Sequence, residues 1–348
     1  MKKINYFSTL IIFSFCGLIM RGQDIHFSQV HETPLFLSPA NTGFYNGYFR
    51  AIANYRNQWS SMNNAFQTYA ISMDGGIFKS KKRPAFLGFG FTLFSDVAGA
   101  AKLRKTTAMI NVSGLLKIGK KSALSVGLAG GAAGTTASYN NLTYASQFNG
   151  NSLDPTLSSG EPSIYRPFTT VDVGAGLAYE FATFSRDQDH DDEMSFKIAF
   201  GAYHLNKAVQ EYGPGSSYRE PVRLVGAITS LLDIEDTKFT VTPSVVFQQQ
   251  ANYQELVLGS YVKYRMSTGT KVTGSKTQNA IGLGVYYRNK DALIPKLIFD
   301  LGDYSVGMSY DVNLSGYRSA SNYNGGFEIS LRYNNLAGSL FDTRREFR

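Results

Sequence analysis

Cysteine is nearly absent, with one in 348 residues, and the chain holds a single Trp, four His and only 17% charged residues. One cysteine excludes an internal disulfide and thiol-based metal chemistry. The four His, at 26, 31, 190 and 204, form no i, i+4 pair on a helical stretch, so a zinc centre is not expected and they read as polar surface residues. The low charge and 43% hydrophobic content argue against a disordered chain. After the first 22 residues no run approaches the ~20 apolar residues that a spanning helix requires.

Other chemistry is missing as well. No Gly-x-Ser-x-Gly elbow frames a nucleophile. The glycine run Gly127 to Gly134 lacks the Lys-Ser/Thr of a phosphate loop and is read as strand glycines that permit curvature. The acidic run Arg186 to Glu193 lacks the ligand spacing and turn glycine of a calcium loop and is read as a solvated hairpin turn. No cofactor, no catalytic residue and no nucleic-acid partner is expected.

What is present begins with an export signal. Lys2 and Lys3 precede an apolar run from Leu10 to Met20, and small Gly22 ends it, so residues 1–22 read as a cleaved signal peptide. Cys16 lies within that run behind Phe15, which spoils a lipoprotein-type cleavage site. Removing Lys2, Lys3 and Arg21 takes the formal charge from +8 to +5, a mild basic excess that names no partner.

The rest of the chain has period two. Phe49, Ala51, Ala53 and Tyr55 alternate with Arg50, Ile52, Asn54 and Arg56, and Leu87, Phe89, Phe91 and Leu93 alternate with Gly88, Gly90 and Thr92. Phe239, Val241, Pro243, Val245 and Phe247 set against Thr240, Thr242, Ser244 and Gln248 repeat the pattern. About fourteen such stretches follow one another, most near the ~10 residues that cross a bilayer when tilted. Alternation this long, with a second face of Gly, Ser, Thr, Asn and isolated charges, predicts an all-β transmembrane antiparallel barrel rather than a soluble sandwich. Lipid cannot satisfy an open sheet edge, so the sheet must close. Arg50, Arg223 and Lys197 must then face the lumen, and aromatic pairs at strand ends, such as Phe239 and Phe247 or Tyr286 and Tyr287, are expected in the interfacial girdles.

The long polar stretches Ser138 to Thr169 and Asn206 to Pro221 are expected outside the cell, with compact turns and the N-terminus on the periplasmic side. The domain reading is a signal peptide at 1–22, an N-terminal periplasmic or lumenal segment at 23–47, the barrel at 48–334 and a short tail at 335–348. The segment has two Pro and no period, which leaves it as a plug or lid of the barrel or as a docking surface for a partner. Arg56 is expected to face the lumen and pair with a carboxylate such as Asp172 or Glu180, with Trp59 as an interfacial anchor.

Several stretches together resemble the PorP/SprF family of type IX secretion system outer-membrane proteins. They are Phe27-Ser28-Gln29, the run Pro34 to Gly43, Phe49-Arg50 and Asn54-Tyr55-Arg56-Asn57-Gln58-Trp59, then Tyr203-His204-Leu205-Asn206, Ser309 to Asn313 and Gly325 to Leu331. Ser38 departs from the expected Asn before Pro-Ala, though a serine also caps a turn. The resemblance implies an outer-membrane barrel, similar in form to long-chain fatty-acid channels, that serves type IX secretion and gliding motility. It implies partners among secreted adhesin-like cargo and the translocon or periplasmic subunits, and no catalysis. Pro34, Pro39, Asn41, Gly43, Tyr55, Arg56 and Trp59 are the candidate partner-binding or plug residues. The alternative is a channel for small hydrophobic molecules gated by the N-terminal segment, and a weaker third reading is a barrel enzyme.

Overall fold

A computed structural model describes residues 24 and 26–335, apart from 60–65, 81–82, 139–141, 160–165, 187–190, 214–215, 267–278, 317 and 320. The strands are β1 Phe49–Gln58, β2 Phe66–Ile77, β3 Ala85–Ala98, β4 Leu103–Ile118, β5 Ser122–Thr136, β6 Phe168–Arg186, β7 Asp191–Tyr203, β8 Val209–Gly213, β9 Ser216–Arg219, β10 Arg223–Asp233, β11 Phe239–Gln250, β12 Tyr253–Arg265, β13 Asn279–Arg288, β14 Ala292–Leu301, β15 Tyr304–Asn313 and β16 Asn324–Asn334. All but β8 and β9 form one closed antiparallel barrel in chain order, a circle of 14 strands. β16 returns to β1 with Arg50 opposite Asn334 and Gln58 opposite Gly326, so no edge is left unpaired.

Period two explains the wall. On β3 the side chains of Leu87, Phe89 and Phe91 point outward and are exposed, while Phe86, Thr92 and Phe94 are buried inside. Leu128, Phe200 and Leu283 are more than half exposed on the outer surface, a band of apolar side chains suited only to lipid. Two prolines sit in this wall. Pro243 and Pro295 have no N–H to donate, and the pairing of β11 with β10 and of β14 with β15 skips a step at each.

Rings gather at both rims. At the near rim, where β1 begins, Phe49 and Tyr304 both pack on Tyr333, and Phe239 packs on Tyr264 at 5.4 Å. At the far rim Tyr55 meets Tyr69 at 5.0 Å and Trp59 meets Phe66 edge-on at 5.3 Å. Tyr286 departs from the girdle expectation. It is buried, facing the lumen, because consecutive strand residues point to opposite faces and only Tyr287 lies outside.

The two long connections, 137–167 and 204–222, both lie at the far rim. The second contains the β8–β9 hairpin, which period alone did not reveal. The acidic run lies in part at 187–190, outside the described residues.

Candidate functional site

Inside the closed wall lies the chain's own N-terminal segment. Its backbone forms a 3₁₀ turn at Val30–Glu32, one helical turn at Pro34–Leu37 and a second 3₁₀ turn at Pro39–Asn41. Pro34 and Pro39 each occupy a first helical position, where a missing N–H leaves nothing unsatisfied. Ser38 caps the last turn by accepting from the Ala40 N–H and donates its hydroxyl to the Phe200 carbonyl at 2.7 Å. Turns this short leave most carbonyls and amides without partners in their own segment, and burial makes that costly unless something else supplies them.

The barrel supplies them, one side chain at a time. Tyr203 donates to the Leu35 carbonyl at 2.5 Å, Ser125 to Ala40 at 2.6 Å, Ser113 to Thr42 at 2.6 Å and Lys197 to Phe44 at 2.6 Å. Lys79 donates to the carbonyls of Tyr45 and Gly47, and Arg56 to that of His26 at 2.6 Å. In the other direction the amides of Ser28 and Gln29 donate to the two oxygens of Glu328, and the Gly43 amide donates to Asp74 at 2.7 Å. These partners come from β1, β2, β4, β5, β7 and β16 and from the turn after β2, an arc of the circle, and Arg223 of β10 adds a donor to the Phe36 carbonyl at 3.2 Å beyond it. Its apolar side chains Phe27, Val30, Leu35, Phe36, Leu37 and Phe44 are buried against inward-facing Phe86, Phe94, Met109 and Val246 among others.

Glycines of the wall make the close approach possible. A Cβ at Gly127 would lie 2.3 Å from the Ala40 nitrogen, one at Gly201 2.2 Å from the Leu37 carbonyl, and one at Gly88 2.3 Å from the Thr42 carbonyl. Gly127 thus stands in its strand for clearance toward the segment, where the sequence suggested curvature.

Ion pairs fasten the segment at several places. Near its start, Asp24 lies 3.2 Å from His204, 3.5 Å from Lys105 and 3.4 Å from Arg223, with Asp172 3.0 Å from the other His204 nitrogen. Ser28 donates its hydroxyl to Asp311, which also pairs with Arg56 at 3.0 Å and Arg288 at 2.6 Å. Glu32 pairs with Arg332 at 2.9 Å and Lys296 at 3.4 Å. Arg50 grips Asp74, which in turn holds Gly43. The contacts of Asp24 are at the far rim and those of Gly43 to Gly47 at the near rim, so the segment runs the length of the lumen.

The charges follow from this burial. Burial alone would raise the Glu32 carboxyl, but Arg332 and Lys296 hold it down at about 2. Burial, then Lys296, pushes His31 down to about 3, and as a neutral ring it shares a hydrogen bond with Ser244 at 2.6 Å. Burial opposes protonation of His204, yet Asp172 and Asp24 lift it to about 9. Burial would also raise Asp24, and Lys105, Arg223 and His204 bring it well below the usual carboxylate range. Among the described residues no group of His, Cys, Asp and Glu could hold a metal ion.

Of the residues singled out from the sequence, Pro39, Asn41 and Gly43 are buried within the segment and Pro34 is half-buried there. Asn41 donates to the Pro34 carbonyl at 2.9 Å, and Gly43 adopts φ +66°, a conformation natural to glycine. Arg56 faces the lumen as expected, but its partner is Asp311. Asp172 instead meets His204, and Glu180 lies 3.6 Å from Lys197. The reason is position on the circle: β16 alone separates β1 from β15, whereas β6 stands across the lumen. Tyr55 lies on the outer surface against Tyr69 and touches neither segment nor cavity. Trp59 follows β1 at φ 55° and lines a cavity of about 990 Å³ at the far rim. The inward charges Asp74, Arg288, Asp311, Glu328 and Arg332 were not singled out from the sequence, although period two marks each as inward-facing.

A closed antiparallel wall with an apolar outer band and aromatic rims defines an outer-membrane β-barrel. The profile described as Type IX secretion system membrane protein PorP/SprF matches residues 19–333, and the chain belongs to that family. No curated protein matches it. Among solved structures it is similar to the CymD monoaromatic hydrocarbon channel, at 13% identity over 90% of this chain and 94% of that one with a TM-score of 0.42. A Pseudomonas aeruginosa FadL homologue follows at 10% identity over 88% and 94%, TM-score 0.40. BamA from Haemophilus ducreyi lacking POTRA domains 1–3 is 8% identical over 83% and 70%, TM-score 0.41. All three are barrels, and at these values none of them says what this chain does.

Proposed function

We propose that this type IX secretion barrel assists the export or surface attachment of a large secreted partner, and that residues 24–46 serve as its plug. The observation that carries the plug reading is the collection of the segment's carbonyls and amides, one by one, by inward side chains of the wall. A segment so buried presents little surface to a periplasmic partner, which favours plug over docking surface in the seated state. Export through a signal peptide cleaved after Gly22, with the near rim toward the periplasm, belongs to the same reading. The charged walls of the far-rim cavity suit an apolar permeant poorly.

Two experiments test the proposal. Affinity purification from detergent-solubilised outer membranes should bring down a large secreted protein or a translocon subunit, and reproducible recovery of the barrel alone would count against a secretion role. Deleting 24–46 should leave a heat-modifiable barrel band while ion conductance rises. Loss of the folded band together with unchanged conductance in any surviving fraction would count against a separable plug.

A further inference from the structure

The far-rim cavity has a chemistry that the plug does not require. Asp24 and His26 line it, and aromatic rings reach it from three directions: Trp59 just after β1 with Phe66 at the start of β2, Tyr212 and Tyr218 from the β8–β9 hairpin, and Tyr253 from β12. The rings are set in place. Tyr212 packs edge-on to Phe168 at 5.1 Å and donates its hydroxyl to Gln210 at 2.8 Å, and Tyr253 donates to Glu255 at 3.0 Å.

Most charges in the wall already have a partner; Asp96 is held by the Thr68 hydroxyl, and Lys290 forms no ion pair among the described residues. Lys105 meets Glu220 at 2.5 Å, Arg288 meets Asp291 at 2.5 Å, Arg56 meets Asp311 at 3.0 Å, and Glu255 accepts from Gln248 at 2.6 Å. A charged ligand would have to break such pairs, and an apolar one would strip water from them without replacing its hydrogen bonds. A neutral ligand rich in hydroxyls does neither, because each hydroxyl both donates and accepts and so fits the lone pairs that the ion pairs leave unused. His26 Nε2 and Tyr218 Oη are buried in this wall without a hydrogen-bond partner among the described residues. An extended peptide seeks an unpaired strand edge; the barrel wall offers none, and at the cavity only the short β8–β9 hairpin has edges among the described residues.

We propose that the cavity binds a neutral oligosaccharide, its sugar C–H faces against the rings of Trp59, Tyr212 and Tyr253 and its hydroxyls on the surrounding carboxylates, amides and His26. The volume of about 990 Å³ is at the top of the range for small-ligand pockets, which suits several linked sugar units rather than one.

Trp59 is the only tryptophan, so its fluorescence reports on this cavity alone. The full chain, purified in a detergent without a sugar headgroup, is titrated with maltohexaose, cellohexaose and chitohexaose, and separately with the polysaccharide released from the surface of the producing cells. A saturable change with a free hexasaccharide supports a diffusible ligand, and a change with the surface polysaccharide alone supports a cell-surface glycan. The half-saturation point should rise about tenfold in the Tyr212→Ala, Tyr253→Ala double variant, as expected for loss of two ring contacts. It should not move in about 0.5 M sodium chloride, because the ligand is neutral. The heat-modifiable band of the variant checks that it is folded, and the two single variants replace it if it is not. Absence of a saturable change with all four saccharides overturns the proposal, as does a response equalled by a neutral Gly-Ser decapeptide.

Discussion

The barrel wall and the segment inside it come from one chain and solve the same problem in opposite ways. Each must satisfy its backbone away from water. The wall does so locally, with neighbours in sequence pairing as neighbours in space, and only the meeting of β1 with β16 joins distant parts. The segment does so remotely, through side chains 30 to 300 residues away, as with Arg56 on the His26 carbonyl and Glu328 on the Ser28 amide. A wall made of repeated local pairings tolerates change at any one step, whereas the segment depends on individual donors and acceptors that have no substitutes.

The contrast is broken most severely by filling the clearance between the two. Leucine in place of Gly127 meets the backbone of Pro39 and Ala40 and should expel the segment while leaving the wall intact. Planar-bilayer recordings should show a stable pore of higher conductance than the wild-type barrel, the largest effect expected of any single change. An unaltered conductance with a normal heat-modifiable band would mean that the segment does not block the lumen.

Next in size is Asp311→Asn, which leaves Arg56 and Arg288 buried without their shared carboxylate. The expected loss is about 3–5 kcal/mol of stability, read as an earlier unfolding midpoint in denaturant. Hydrogen exchange should rise first around Ser28 and only later in the strands.

Acid separates the two regions more gently. Glu32 has its folded value below the ordinary 4.5, so its pairs with Arg332 and Lys296 contribute fully above that pH and are lost as the pH falls toward about 2. Exchange within 26–47 should therefore accelerate between about pH 4.5 and 2 before the wall opens, and Glu32→Gln should flatten that step. His204 works in the other direction. Its folded value of about 9 lies above the ordinary 6.5, so the stability it lends to the Asp24 end is complete below pH 6.5 and is lost as the pH rises through about 9. His204→Gln should remove the alkaline dependence of exchange at the far-rim end and leave the acid step unchanged. The smallest effect is expected at the exposed turn between β4 and β5, where Lys121→Ala should change the unfolding free energy by less than about 0.5 kcal/mol.

Much of the wall was legible from residues alone. Strands such as Phe239–Gln250 announce both faces through alternation, and a chain of such strands in lipid has few options besides closure. The β8–β9 hairpin was hidden because it is short, lies in a polar connection and has no lipid-facing side to mark it. Tyr286 was misplaced because two adjacent tyrosines look like a girdle until strand parity is applied to each. The segment was legible as a motif without a fold: Pro34, Pro39 and Gly43 mark turns, and nothing in their spacing tells where those turns lie.

The sequence by itself determined which way each strand residue points, since the pleat alternates faces and lipid admits only one of them. It determined as well that Arg50, Arg56 and Arg223 turn inward, because a charge on the lipid side is too costly. Only the closed tertiary structure decided which inward charge meets which. Arg56 finds Asp311 rather than Asp172 because closing the circle brings β15 within reach of β1, and no local pattern encodes a distance across a lumen. The same closure made an interior for residues 26–47 to occupy, and so turned a stretch without periodicity into a segment whose carbonyls and amides are met by side chains of the wall.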